Sequence, residues 1–169
     1  AGGSITTGQV NVVIGSLAGD ALTDADYNVA IGTYALSSDT LGSKSTALGH
    51  NALNTQNFTT ATSTFNVAVG INAGAAVTTG INNTIIGGTA ADALTVGVSN
   101  VAVGRGALGD DTKGNKSVAI GQDALNGQNF TSATDSNNVA IGFQAGLAVG
   151  TGTGNTLLGN EAGRGNSSA

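Results

Sequence analysis

Apolar residues in this chain do not follow the 3.6-residue rhythm of an amphipathic helix; they come in short alternating phrases, each closed by a glycine. The phrases are NVVIG ending at Gly15, NVAIG at Gly32, STALG at Gly49, NVAVG at Gly70, NTIIG at Gly87, NVAVG at Gly104, SVAIG at Gly121, NVAIG at Gly142 and NTLLG at Gly159. Successive glycines lie 17, 17, 21, 17, 17, 17, 21 and 17 residues apart, so four spacings make a super-repeat of 72 that carries Gly15 onto Gly87 and Gly87 onto Gly159. A 17-residue unit holding one short β-branched strand is too short for a strand–helix pair. The pattern therefore predicts an all-β fold, a parallel β-solenoid (β-roll or β-helix) of about nine coils with 17/17/21/17 residues per coil. At ~4.8 Å per coil the rod is about 43 Å long. It is one repeat domain over residues 1–169, divided into super-repeats 1–72 and 73–144 and a partial 145–169.

The columns of this alignment carry more. Four residues before the glycine stand Asn11, Asn28, Asn66, Asn83, Asn100, Asn138 and Asn155, with Ser45 and Ser117 in the other two coils. These short polar side chains bond backbone at turns, and stacked coils would make them a ladder. Three residues after every glycine comes an alanine, which implies a tight corner. Within each phrase the first and third apolar positions share one strand face and the middle one points the other way. The middle position is Ala30, Ala47, Ala68, Ala102, Ala119 and Ala140, with Val13, Ile85 and Leu157 once per super-repeat. With the larger residues taken as the core face, the alanine column points outward and is never polar. A strand apolar on both faces is usually covered on both. The column thus predicts an oligomer seam in a homo-oligomer, with an intertwined or side-by-side homotrimer favoured over a thin monomeric rod.

The unit NVAIGTYALSSDTLGSKS, Asn28 to Ser45, resembles the NTAIGYQAL-type 17-residue repeats of bacteriophage tail fibres and related surface proteins. Its NVAIG core is also similar to the head repeats of trimeric autotransporter adhesins, whose coils are shorter. The resemblance covers all nine coils. It implies left-handed parallel β-rolls in a homotrimer, and a structural or adhesive fibre segment of a virion contacting a host surface through a cell-surface glycan or protein receptor. The alternative it implies is a bacterial adhesin head or extracellular filament subunit; either way the location is the virion or the cell exterior.

Composition narrows the chemistry. Charged residues are 9% of the chain, the net charge is −5, and the cations Lys44, Arg105, Lys113, Lys116 and Arg164 form no cluster, which excludes a nucleic-acid backbone as partner. No apolar run approaches the ~20 residues of a membrane-spanning helix, so no membrane insertion is expected. There is no cysteine and a single histidine, His50, which reads as a surface residue; no cofactor and no metal are expected. Gly104 to Gly109 matches GxGxxG with Asp123 downstream, but these are repeat-column residues with no helix after them. Gly109 to Ser117 lacks the Gly-Lys-Ser junction of a phosphate loop. Among Asp20, Asp24, Asp26, Asp39, Asp110 and Asp111 a glycosidase pair needs carboxyls about 5 to 9.5 Å apart and a sugar platform, and no aromatic recurs beside them. Calcium at Asp24/Asp26 or Asp110/Asp111 would lack the GGxGxD signature. One threonine column, Thr6, Thr23, Thr40, Thr78, Thr95 and Thr112, falls short of the two an ice-binding face needs. No enzyme is expected.

The two 21-residue coils carry Gln56, Asn57 and Phe58 and, 72 residues on, Gln128, Asn129 and Phe130. Insertions in repeat proteins tend to lie on a binding face, so these six are candidate receptor-contact residues. In the other reading the phenylalanines fold back onto the rod. Asn57 and Asn129 also begin N-x-Thr sequons. Neither AGGSITTGQV nor Gly165 to Ala169 has the pattern of a capping helix, which predicts a segment of a longer fibre or copies meeting end to end.

Overall fold

A computed structural model describes residues 1–165; residues 166–169, the end of the partial super-repeat and of the tail just mentioned, lie outside the described residues. Thirteen short strands follow one another: β1 (Val12–Ile14), β2 (Val29–Ile31), β3 (Gly42–Ser43), β4 (Thr46–Leu48), β5 (Thr62–Ser63), β6 (Val67–Val69), β7 (Thr84–Ile86), β8 (Val101–Val103), β9 (Gly114–Asn115), β10 (Val118–Ile120), β11 (Thr134–Asp135), β12 (Val139–Ile141) and β13 (Thr156–Leu158). The nine apolar phrases form one parallel sheet in the order β1-β2-β4-β6-β7-β8-β10-β12-β13. Each phrase pairs in register with the next, Val29, Ala30 and Ile31 lying beside Thr46, Ala47 and Leu48. The chain is a β-solenoid of nine coils. Two minor parallel pairs, β3 with β5 and β9 with β11, join each long coil to the coil before it.

The repeat glycine is explained by proximity as much as by its φ. A Cβ at Gly32 would lie 2.6 Å from the carbonyl oxygen of Gly49, and one at Gly104 would lie 2.5 Å from that of Gly121. Three further columns turn the chain through the left-handed region. Five residues before the glycine φ runs from 50° to 70°, two after it from 51° to 64°, and four after it from 45° to 65°. These turns aim backbone groups along the rod. Tyr27 N–H donates to the Gln9 carbonyl (3.0 Å), Tyr34 N–H to that of Ser16 (3.0 Å) and Leu36 N–H to that of Ala52 (3.0 Å). Backbone hydrogen bonding thus continues from coil to coil around the corners and not only in the strands.

The alternation along each strand is as the sequence pattern predicts, but inside and outside are exchanged. Ala30, Ala47, Ala68, Ala102, Ala119 and Ala140 are buried in the interior of their own chain and form no oligomer seam. The physical reason is the narrowness of the coil. The column opposite is made of Ala18, Ala35, Ala52 and their equivalents up to Ala145, also buried, followed in four coils by leucines that already fill the space. Volumes compensate across the core. Four of the six coils with alanine in mid-strand carry Leu36, Leu53, Leu108 or Leu125 six residues later; Ala68 and Ala140 have Gly74 and Gly146 there, beneath Ile85 and Leu157 of the next coil, and Val13 and Leu157 are followed at that distance by Gly19 and Gly163. Ile85 instead reaches over Gly74 of the preceding coil, where a Cβ would meet its Cδ1 at 2.9 Å.

One core column changes character with the 72-residue period. It reads Ile5, Leu22, Asp39, Gln56, Val77, Leu94, Asp111, Gln128 and Val149, so two apolar stretches each give way to a buried Asp–Gln pair. Gln56 Nε2 donates to Asp39 Oδ2 (2.6 Å) and to Ser45 Oγ (2.8 Å), and Gln56 Oε1 accepts from Asn66 Nδ2 (2.8 Å). Asp39 Oδ1 accepts from the backbone N–H of Phe58 (2.9 Å) and Gly42 (3.1 Å). The second plug repeats these contacts, with Gln128 Nε2 donating to Asp111 Oδ2 (2.6 Å) and Ser117 Oγ (2.8 Å). No buried side-chain polar atom among the described residues lacks a partner, the condition under which such a network is tolerated in a core.

Candidate interaction face

With alanine turned inward, the first and third positions of every phrase face outward. The main sheet therefore shows its surroundings two columns, one of Val or Thr and one of Ile, Leu or Val, without a charged residue in either. Ile14, Leu48, Ile86, Ile120, Ile141 and Leu158 are all exposed. Every one of the fourteen exposed large hydrophobics among the described residues lies between five residues before and two residues after a repeat glycine. The remaining perimeter of the coil contributes none. The rod has one apolar side, formed by the outer face of the nine-stranded sheet and the two corners that border it.

The corners are less uniform than the sheet. Five residues before the glycine, Val10, Tyr27 and Phe65 are 69%, 58% and 54% exposed, and Lys44 lies between the last two with its Nζ 5.2 Å from the Phe65 ring centre. The same column then becomes Asn82, Ser99, Lys116, Asn137 and Gly154. Two residues after the glycine, exposed Leu17 and Tyr34 give way to Asn51, Asn72 and further residues without large apolar side chains. Tyr34 meets the exposed His50 edge to face, ring centres 6.4 Å apart.

Of the two readings of the insertions, the structure follows the one in which the phenylalanines fold back onto the rod, not the one in which they form receptor-contact loops. Gln56 and Gln128 are the core plugs just described, and Phe58 and Phe130 are buried against the rod. None of these four can contact a receptor from the folded rod. Of the six, only Asn57 and Asn129 are exposed, each accepting a hydroxyl hydrogen bond from the threonine one coil earlier, Thr40 or Thr112 (3.2 Å). The extra residues bulge at 59–61 and 131–133, after the phenylalanines, and are exposed. The asparagine column is a continuous ladder over short coils. Asn83 Oδ1 accepts from Asn100 N (2.9 Å) while its Nδ2 donates to the Gly97 carbonyl (2.9 Å). Serine replaces asparagine at 45 and 117 because a glutamine amide arrives there from the core.

Charged side chains are sparse and, apart from Asp39 and Asp111 in the core, peripheral. Lys116 pairs with Asp135 (2.6 Å) at the surface and holds its carboxyl below the usual range. Partial burial, with the Asp110 carboxylate adding to it, raises the carboxyl of Asp92. No group of three or more His, Cys, Asp or Glu side chains placed to hold a metal ion occurs among the described residues. Gly104, the start of the GxGxxG match, is stacked on Gly121 with no helix behind it. Residues that sequence reasoning passed over are the corner columns. Their signal is a position that alternates between Tyr or Phe and Asn, Ser or Gly in otherwise matching coils. Comparison with protein-family models, curated proteins and solved structures finds no match for this chain.

Proposed function

We propose that the chain is a segment of an extracellular fibre, foremost a virion tail fibre contacting a host surface, in which copies associate side by side through the apolar face, with a homotrimer favoured. The observation that carries this reading is the one-sided distribution of exposed hydrophobics along all nine coils. Soluble monomers rarely expose contiguous apolar patches beyond a few hundred Å², and larger ones mark interaction sites. A copy of the same chain has the length and the uncharged stripe needed to cover the whole face. The seam is thus made by the Val and Ile columns in place of the alanines. In this reading the rod is scaffold or adhesive shaft and performs no chemistry. A glycan or protein receptor contacts the polar perimeter left outside the assembly.

Light scattering on the purified chain tests the association. About three times the chain mass is expected, and a particle of single-chain mass at high concentration overturns it. Ile86→Lys and Ile120→Lys place unpaired charges at the face and should dissociate the assembly while leaving β-type circular dichroism intact. Antibody labelling of intact virions in the electron microscope tests the location; labelling confined to bacterial surfaces would transfer the protein to an adhesin. Shortened polysaccharide after incubation with the protein would overturn the non-catalytic reading.

A further inference from the structure

We infer that the bulky left-handed corner residues of the early coils, above all Tyr27 and Phe65 with Tyr34 on the opposite corner, are clamps that grip a second copy of this chain. This rests on the side-by-side association proposed above and assigns its strongest contacts to one end. A left-handed backbone is easy for Gly and tolerable for Asn, but for tyrosine, phenylalanine or valine it is strained. Tyr27 has φ 58°, Phe65 φ 51° and Val10 φ 57°. The fold does not require large side chains there, since the same column holds Asn82, Ser99, Asn137 and Gly154 in other coils with the same backbone. Nor do these side chains fill the core of their own chain: Tyr27 and Phe65 are more than half exposed. Residues that are both strained and solvent-exposed, at positions where polar alternatives occur in the same molecule, point to a role outside the isolated chain.

The occupant is argued from size and chemistry. Three-residue strands stacked over nine coils present a strip on the order of 400 Å², against ~800 Å² per partner for a standard stable interface. The corners supply the missing width, chiefly in coils 1 to 4, where Val10, Leu17, Tyr27, Tyr34, Phe65 and Ile71 border the strip; beyond them Phe143 of coil 8 is the one exposed large apolar corner residue among the described residues. A second copy brings an equally apolar sheet edge to these side chains. Lys44, laid against Phe65 and bonded through Nζ to Ser63 Oγ (2.9 Å), stiffens the ridge.

The test uses the only two tyrosines of a tryptophan-free chain, both at these corners. On raising protein concentration through the association, acrylamide quenching of tyrosine emission should fall at least twofold. In parallel, the Tyr27→Asn/Phe65→Asn variant takes the residue found at Asn82 and Asn137. It should keep or raise the unfolding midpoint of the single chain and weaken association at least tenfold. Lost association with a lowered single-chain midpoint would mark a merely structural role and overturn the inference. Unchanged quenching through a demonstrated association also overturns it, whether or not the variant folds, and leaves the oligomer reading standing. A wild-type chain that stays monomeric at every concentration removes that reading and the clamp together.

Discussion

At the level of single residues the core is governed by volume exchange between two columns six residues apart. Removing Ile85 to alanine should cost about 2 to 4 kcal/mol, read by urea denaturation, because the cavity beside Gly74 cannot close. Gly74→Leu alone overpacks the same site, while Ile85→Ala with Gly74→Leu recreates the Ala–Leu arrangement of coils 2 and 3 and should recover most of the loss. A non-additive double-mutant cycle is the expected result. Asp92 gives a second test. Its carboxyl is raised by burial, so it takes up a proton more readily in the folded chain than in the unfolded one; the group's favourable contribution is complete below its ordinary range and lost as pH rises through the folded-state value. Asp92→Asn should therefore raise the unfolding midpoint at pH 7, and the gain should vanish in acid. Strand alternation was legible in the sequence; its inside and outside were not. Both strand faces are apolar, so periodicity cannot choose between them. What chooses is the pairing of Ala30 with Leu36 and of Val13 with Gly19, visible only once those left-handed leucines are known to point into the coil.

At the level of coils the Asp–Gln plugs set the 72-residue period apart from the 17-residue one. Near-identical coils could pair one turn out of step at small loss, yet such a slip would bring Asp39 or Gln56 against leucine or valine and leave a buried carboxylate or amide without partners. Asp39→Leu alone removes one acceptor from the Gln56 amide and the acceptor of the Phe58 and Gly42 backbone N–H groups, and should lower stability by about 3 kcal/mol. Asp39→Leu with Gln56→Val continues the apolar column and should recover only part of that loss in thermal melts, because the backbone N–H groups of Phe58 and Gly42 still lack the acceptor that Asp39 Oδ1 supplied. Coil boundaries, the long coils and the super-repeat could be read directly from glycine spacing. The depth of Phe58 and Phe130 could not, because an aromatic flanked by amides looks the same whether it covers the rod or faces water. Ser45 and Ser117 were the available clue: a break in the asparagine column shows that another side chain takes over its hydrogen bonds.

At the level of the whole molecule the apolar face is broader over coils 1 to 4, and in the proposed association copies that set clamp against clamp run in the same direction. The chain has no cysteine, so Ile31→Cys supplies a unique reporter on the outer face of β2. Parallel copies bring these thiols to one height and should cross-link under mild oxidation; antiparallel copies place coil 2 beside coil 8, about 29 Å away, and should not. The in-register stack also has a mechanical meaning. Because each coil is fastened only to its neighbours, tension along the rod is carried in series through every coil boundary. A released 17-residue coil converts ~4.8 Å of rod into nearly 60 Å of extended chain, a gain of about 55 Å per event. Pulled between its ends in an optical trap, the protein should yield in a sawtooth of such steps, with the boundaries held by Asp39 and Asp111 giving way last. A tether built this way lengthens under load instead of snapping, dissipating the shock as a series of small, reversible ruptures.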